Sequence, residues 1–237
     1  MGSRSEATPR DAASHEAPET LSGLYQTRFS APAQAQKLEI WRVLCQDFFQ
    51  RYVRPEDTVV DLGAGFCEFI NNIRARVKYA VDLNPDTRRY AARDVTVVAA
   101  ESSKLDLLAP GSVDVVFASN FFEHLPDKAA FLATLTEVRR ILRPATGRLL
   151  ALQPNIRLTG GAYWDFVDHH LPLTERTLVE AAELVGLKPI EVRPRFLPYT
   201  TKSRLPQHPM LVRAYLRCPP LQWLLGKQTW FVAIRPA

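Results

Sequence analysis

A β-branched run, Thr58-Val59-Val60-Asp61-Leu62, leads directly into Gly63-Ala64-Gly65, and a second apolar run, Tyr79-Ala80-Val81, ends in Asp82. The two aspartates lie 21 positions apart (82 minus 61), with a helical pattern between them. Strand, glycine turn, helix and strand at this spacing predict a βαβ unit that takes a nucleoside-containing cofactor at its first turn. Glycine lets the backbone approach such a ligand without a Cβ in the way. A carboxylate ending the second strand can accept hydrogen bonds from both ribose hydroxyls.

The rest of the chain extends that unit. An N-terminal helix is expected from Leu24 to Val53, where Ile40, Val43, Leu44, Phe48 and Tyr52 share one apolar face. Strands are expected at Thr58–Leu62, Lys78–Leu83, Val95–Ala99, Val113–Ala118, Arg148–Gln153, Ile190–Val192 and Gln228–Ile234. Helices are expected near Glu68–Ala75, after Asn84-Pro85-Asp86, from Asp127 to Leu142, and from Thr174 to Leu184. This alternation implies an α/β fold with a doubly wound, seven-stranded, mostly parallel sheet, plus an N-terminal helix and a helical insertion before the last strand. Residues 1–22 read as a flexible arm, and 23–237 as a single domain with a lid-like insertion at 195–226. That insertion, Arg195–Gly226, mixes Leu, Val, Tyr and Trp with Arg213 and Arg217. It suits a substrate lid, an oligomer contact or a membrane-surface element.

Position 68 bears on the choice of cofactor. A dinucleotide loop reads G-x-G-x-x-G, and its third glycine falls where this chain has Glu68. A glutamate there puts bulk and negative charge where a pyrophosphate would sit at the helix N-terminus. A phosphate-free cofactor carrying a sulfonium cation meets no such conflict. The D-L-G-A-G turn, the V-D-L end of the second strand and the later S-N-F-F-E-H-L segment together resemble class I S-adenosylmethionine-dependent methyltransferases, most closely their small-molecule branch. The resemblance covers roughly residues 56–155 and implies the Rossmann-like methyltransferase fold with S-adenosyl-L-methionine as cofactor.

It also implies roles for particular residues. Asp61, Gly63, Ala64 and Gly65 would carry the methionine part of the cofactor, and Asp82 with Leu83 the ribose. Glu101 and Ser102 occupy the adenine-contacting positions, although the family's usual aspartate is absent there. Cys67 replaces the third glycine of the family's G-x-G-x-G and is not read as a nucleophile. Asn120 and Phe121, after the fourth strand, would line the methyl-transfer region. Tyr25 and Arg28, ahead of the N-terminal helix, would close over the cofactor, Arg28 pairing with its carboxylate.

The acceptor side is read from Tyr163-Trp164-Asp165-Phe166-Val167-Asp168-His169-His170 and Asn155. Asn155, Tyr163, Trp164 and Asp165 are the expected substrate contacts. His169 or His170, assisted by Asp168, is the expected base, with His124 a further candidate. Loop packing is the competing role for this segment. No spaced ligand set such as H-x-x-x-H is present, so no metal is expected. The N-methylating tetrapeptide Asn-Pro-Pro-aromatic is also missing, which favours transfer to oxygen: O-methylation of a hydroxyl-bearing sugar, glycolipid headgroup or natural product. A non-catalytic module that keeps the fold, and a nicotinamide oxidoreductase, are the competing functions.

Composition narrows the partners. The 237 residues are 46% apolar and 23% charged, ordinary for a globular chain, with a formal net charge of +5. No dense Lys/Arg block points to nucleic acid. A peripheral membrane or lipid-linked substrate contact and a homodimer are both compatible with the basic, aromatic insertion. Three widely spaced cysteines suggest neither a disulfide framework nor a zinc site. No run approaches the roughly 18–20 apolar residues of a bilayer span, and the N-terminus is unlike a signal peptide, so the cytoplasm is the expected compartment.

Overall fold

The computed structural model describes residues 31–199 and 208–237. Its seven strands are β1 (Thr58–Leu62), β2 (Val77–Val81), β3 (Val95–Val98), β4 (Val115–Ser119), β5 (Arg148–Pro154), β6 (Lys188–Leu197) and β7 (Gln228–Ile234). They form one sheet in the order β3-β2-β1-β4-β5-β7-β6. Strands β1 to β5 run parallel, whereas β7 is antiparallel to both β5 and β6. The order reverses between β1 and β4. That switch point leaves a crevice at the carboxyl ends of the strands, where ligands bind in open α/β sheets.

Period-two alternation sorts the central strands into two cores. Val60 and Leu62 of β1, Val116 and Ala118 of β4, Leu149 and Ala151 of β5 and Phe231 of β7 face one side. There they meet helix α3 (Lys128–Ile141) and helix α5 (Glu175–Leu184) through Phe131, Leu135, Val138, Leu178 and Ala182; α2 (Thr87–Tyr90) and α4 (Ile156–Thr159) are single turns. Val59, Phe117, Leu150, Leu152 and Trp230 face the other side, against helix α1 (Ala31–Asp47) and the 3-10 turn Phe49–Tyr52. Phe69 stacks on Phe117 with centroids 3.7 Å apart, and fully buried Trp230 lies among Phe48, Phe49 and Tyr52. Strands covered on both faces read as near-continuous apolar runs, which is how β1, β4 and β7 read.

The structure departs from expectation in three places. Residues 68–75 form turns as far as Asn72 and then irregular chain, rather than a helix. The Asn72 amide side chain takes the Glu68 carbonyl (2.8 Å) that the Asn72 N–H would claim in a helix, and that N–H turns instead to the Phe69 carbonyl (3.0 Å). Such local competition is characteristic of asparagine. The N-terminal helix breaks at Asp47 and continues as a 3-10 turn, and expected residues 24–30 lie outside the described residues. Finally, Arg195–Leu197 belong to β6 and not to the insertion, because Leu197 pairs with Gln228 and Phe196 is buried in the aromatic cluster. The insertion itself carries two short helices, α6 (Pro209–Leu216) and α7 (Pro219–Leu225). Helix α6 packs on α1, with Arg213 Nε 2.8 Å from Asp47 Oδ2, and α7 packs on β6 and α6. No helix among the described residues is long and apolar enough to cross a membrane.

Candidate active site at the carboxyl edge of the sheet

The turn after β1 depends on left-handed backbone. Gly63 (φ +67°), Gly65 (φ +49°) and Cys67 (φ +59°) carry the chain past the end of β2, and the Gly63 and Ala64 N–H groups donate to the Val81 carbonyl (2.9 and 3.2 Å). Asp82 fixes the turn with both oxygens: Oδ2 accepts from the Gly65 N–H (2.7 Å) and Oδ1 from the Asn84 N–H (2.8 Å). Leu83 beside it is largely exposed.

Three carboxylates ring the turn. Burial, then the charge of Glu68, then that of Asp82 hold the Asp61 carboxyl well above the usual range, against a lowering bond from the Ile70 backbone. Burial also raises Asp82. Glu68 is nearly enclosed and meets Lys37 of α1 (Nζ–Oε1 2.8 Å), which also lies over the Phe66 ring (5.5 Å). The concentration of negative charge disfavours a pyrophosphate and suits a cationic ligand. Burial, reinforced by Asp61 and Glu68, pushes the Cys67 thiol up to about 12 and keeps it protonated.

The loop after β4 connects this turn to a second group of residues. Asn120, at φ +48°, bonds Ser119 Oγ through its amide (3.0 Å). The Phe121 ring lies so close to Gly63 that a Cβ there would come within 2.3 Å of Phe121 Cδ2. The 3-10 turn Phe122–His124 follows. The fully buried Glu123 accepts from Gln153 Nε2 at Oε2 (2.9 Å), and its carbonyl receives the His170 and Leu171 N–H groups (2.8 and 3.1 Å). His124 Nδ1 sits 2.9 Å from the Asp168 carbonyl and 3.2 Å from its Oδ2. The His169 ring contacts His124 edge-on (4.9 Å), Tyr163 edge-on (5.0 Å) and Phe166 face-on (5.0 Å). Burial raises the Glu123 carboxyl. For His124 burial acts downward, but the Asp168 hydrogen bond and the charges of Glu123 and Asp168 outweigh it and lift the imidazole to about 9. At neutral pH His124 is therefore an imidazolium, which donates a proton and cannot accept one.

Residues 60–150 match the family model described as a methyltransferase domain. The stretch from β1 to β5 thus carries a methyltransferase domain. Among solved structures, a chain from the complex between the Haloferax volcanii Trm112 methyltransferase activator and a methyltransferase is 16% identical, with a TM-score of 0.66 over 95% of this chain and all of that one. An Archaeoglobus fulgidus S-adenosylmethionine-dependent methyltransferase is 18% identical (TM-score 0.62, 90% and 98% covered). Streptomyces coelicolor geranyl diphosphate C-methyltransferase, solved with Mg2+, geranyl diphosphate and S-adenosyl-L-homocysteine, is 16% identical (TM-score 0.55, 82% and 76% covered). At these identities the likeness is one of fold. No curated protein sequence matches the chain.

In this methyltransferase domain Asp61, Gly63, Ala64, Gly65, Asp82 and Leu83 converge on one turn, and Phe121 lies against it. Glu101 and Ser102 follow β3, but the Ser102 hydroxyl is bonded to Thr134 Oγ1 on α3 (2.7 Å) and fastens the loop to that helix. Asp168, His169 and His124 do come together. His170 points outward, and Trp164 and Asp165 are exposed at the rim. Tyr163 is fully buried; its hydroxyl donates to the Leu171 carbonyl and accepts from the Leu173 N–H (3.3 Å). Asn155 is likewise enclosed, its amide donating to Glu175 Oε2 (2.6 Å) and Thr229 Oγ1 (3.1 Å) while its Oδ1 caps Arg157. The Asn155 bonds tie the end of β5 to α5 and β7, and the Tyr163 bonds hold the loop at 171–173, so both side chains serve the scaffold. Tyr25 and Arg28 lie outside the described residues. Glu123 was not foreseen. In sequence it is one acidic residue before a histidine, and only the docking of 168–171 onto its carbonyl reveals its position.

Proposed function

We propose that the chain methylates the oxygen of a hydroxyl-bearing small molecule, a sugar, glycolipid headgroup or natural product, with S-adenosyl-L-methionine as donor. One observation carries this reading: a single short loop, Ser119–His124, touches the glycine turn through Phe121 and the polar Glu123–His124–Asp168–His169 group three residues later. Cofactor side and acceptor side thus share one rigid connection. When bound, the cofactor supplies an activated methyl group on a sulfonium. The residues then have only to align donor and acceptor, and orientation alone can supply several kcal/mol of the barrier.

In this reading Asp82 and Leu83 hold the ribose, and Asp61 with the Gly63–Gly65 backbone holds the methionine part. Glu101 and Ser102 border the adenine, Asn120 and Phe121 line the methyl-transfer region, and Tyr25 and Arg28 close over the cofactor. His124 and His169, backed by Asp168, hold the acceptor oxygen, with His170, Trp164 and Asp165 at the rim. The exposed apolar side chains of α6 and α7, flanked by Arg195 and Arg217, support a lipid-borne acceptor.

Isothermal titration with S-adenosylmethionine tests the assignment. Wild type should bind, and Asp82→Ala should lose at least about tenfold in affinity, roughly the 1.4 kcal/mol or more expected of one charged hydrogen-bond pair. Unchanged binding in Asp82→Ala would remove the assignment. Release of S-adenosylhomocysteine with hydroxyl acceptors, and not with matched amines, tests oxygen as the target.

A further inference from the structure

Glu123, His124 and His169 each present one ligand atom, and these atoms all lie within 4.8 Å of one another. They come from two segments 45 positions apart (169 minus 124), brought together because the His170 and Leu171 N–H groups both donate to the Glu123 carbonyl. Adjacent residues seldom converge, but the 3-10 turn at Phe122–His124 brings His124 Nε2 to 4.0 Å from Glu123 Oε1. In a tetrahedral site with metal–ligand bonds of about 2.0–2.1 Å, neighbouring donors stand roughly 3.3 Å apart. Closing from 4.0 Å on this edge, and from no more than 4.8 Å on the others, asks for up to about 1.5 Å of side-chain movement.

We infer that Glu123, His124 and His169 form a binding site for one divalent transition-metal ion of the zinc class, facing the acceptor side of the cofactor crevice. The surroundings have the form such a site needs. Asp168 Oδ2 stands 3.2 Å from His124 Nδ1, the carboxylate–histidine arrangement that orients a ligating imidazole and leaves its other nitrogen for the metal. Gln153 Nε2 holds Glu123 Oε2, leaving Oε1 toward the two histidines. Charge agrees as well: the enclosed carboxylates Glu123 and Asp168 each have an oxygen within 4.0 Å of the His124 ring nitrogens, so the cluster favours a cation. Two histidines and one carboxylate suit zinc, cobalt or ferrous iron, and three protein ligands leave a position for an outside oxygen. On the methyl-transfer reading, an acceptor hydroxyl in that position would release its proton to water more readily.

The experiment uses the full chain stripped with chelator and dialysed against Zn2+, with metal counted by mass spectrometry and Co2+ as the spectroscopic probe. Wild type should retain about one equivalent and give the visible absorption of low-coordinate cobalt. His169→Ala and the near-isosteric Glu123→Gln should each lose that band. Asp168→Asn should weaken binding about 10- to 100-fold, as loss of an outer-shell carboxylate does. His208→Ala, on the exposed start of α6, should leave metal content unchanged. Should His169→Ala fail to fold by circular dichroism, Glu123→Gln and Asp168→Asn decide. Substoichiometric metal in wild type, or full retention in the variants, overturns the site. S-adenosylmethionine titration of the stripped protein reports separately on the methyl-transfer reading, since Asp82 lies outside the cluster.

Discussion

Gly63 has two demands on it at once. Its φ of +67° lies where L-residues are strained, and the Phe121 ring fills the space a side chain would take. Gly63→Ala should therefore cost about 2–3 kcal/mol by urea denaturation, combining left-handed strain with overpacking. The same change made in a Phe121→Ala background should recover the overpacking part, about 1 kcal/mol or more, and leave the strain. A double-mutant cycle that came out additive would show that the ring yields freely. Cys67 accepts its φ of +59° without glycine's freedom, and its complete burial and the Sγ contact to the Thr87 carbonyl (3.8 Å) offset the strain. At this scale the sequence was legible where the backbone itself demands the residue, as at Gly63 and Gly65 in the left-handed turn. It was misleading where a polar side chain faces inward to hold the scaffold, as Asn155 and Tyr163 do. Residue type alone does not distinguish an amide that greets a ligand from one that spends its bonds on three separate elements.

Among the elements, α3 is secured by an ion pair that also closes backbone gaps. Glu137 Oε1 accepts the Leu105 N–H (2.7 Å), and Arg140 Nη2 donates to the Leu105 and Leu108 carbonyls (3.1 and 3.0 Å) while pairing with Glu137. The Arg140 hydrogen bond holds the Glu137 carboxyl below its usual range. A carboxylate with a lowered folded-state pKa contributes stability that is fully present above its unfolded value, near 4.5, and is lost as pH falls through the folded value. Glu137→Gln should cost about 1–2 kcal/mol at pH 7 and progressively less below about pH 4.5. Equal cost at pH 7 and pH 3.5 in denaturant titrations would refute the linkage. Strands were the most legible elements, because β1, β4 and β7 are buried on both faces and read as unbroken apolar runs. The missing helix at 68–75 shows the limit: its apolar spacing is helical, but the Asn72 side chain takes a carbonyl that the helix needs.

For the molecule as a whole, α1, α6 and α7 cover one face of the sheet and leave an apolar crest. Met210, Leu211, Trp223 and Leu224 are half or more exposed, while the inward side chains Val212, Tyr215 and Leu216 pack on the core. Arg195 lies over the Trp223 ring (5.8 Å). If this crest meets a lipid-borne acceptor, the protein should co-sediment with anionic vesicles and not with zwitterionic ones. A Trp223→Ala, Leu224→Ser pair should reduce the bound fraction severalfold without lowering stability. Equal sedimentation of the pair with anionic vesicles would count against it. The overall topology followed from the alternation of strands and helices. The meeting of Glu123 with His169 did not, since no local pattern links a turn after β4 to a loop beyond β5.

The place of β7 in the sheet also bears on how the chain is made. It lies between β5 and β6, so β6 has no partner in the sheet until β7 has been synthesised. Trp230, on that same strand, completes an aromatic cluster begun about 180 positions earlier by Phe48 and Phe49. During synthesis, then, β1 to β5 can assemble in order while β5 presents a bare hydrogen-bonding edge and α1 lacks its central ring. Such a nascent chain is exposed to mispairing for as long as the insertion takes to be translated, and closure of the sheet waits on a long-range contact. The two Pro-led helices α6 and α7 thus set a delay in folding as well as a surface on the finished enzyme.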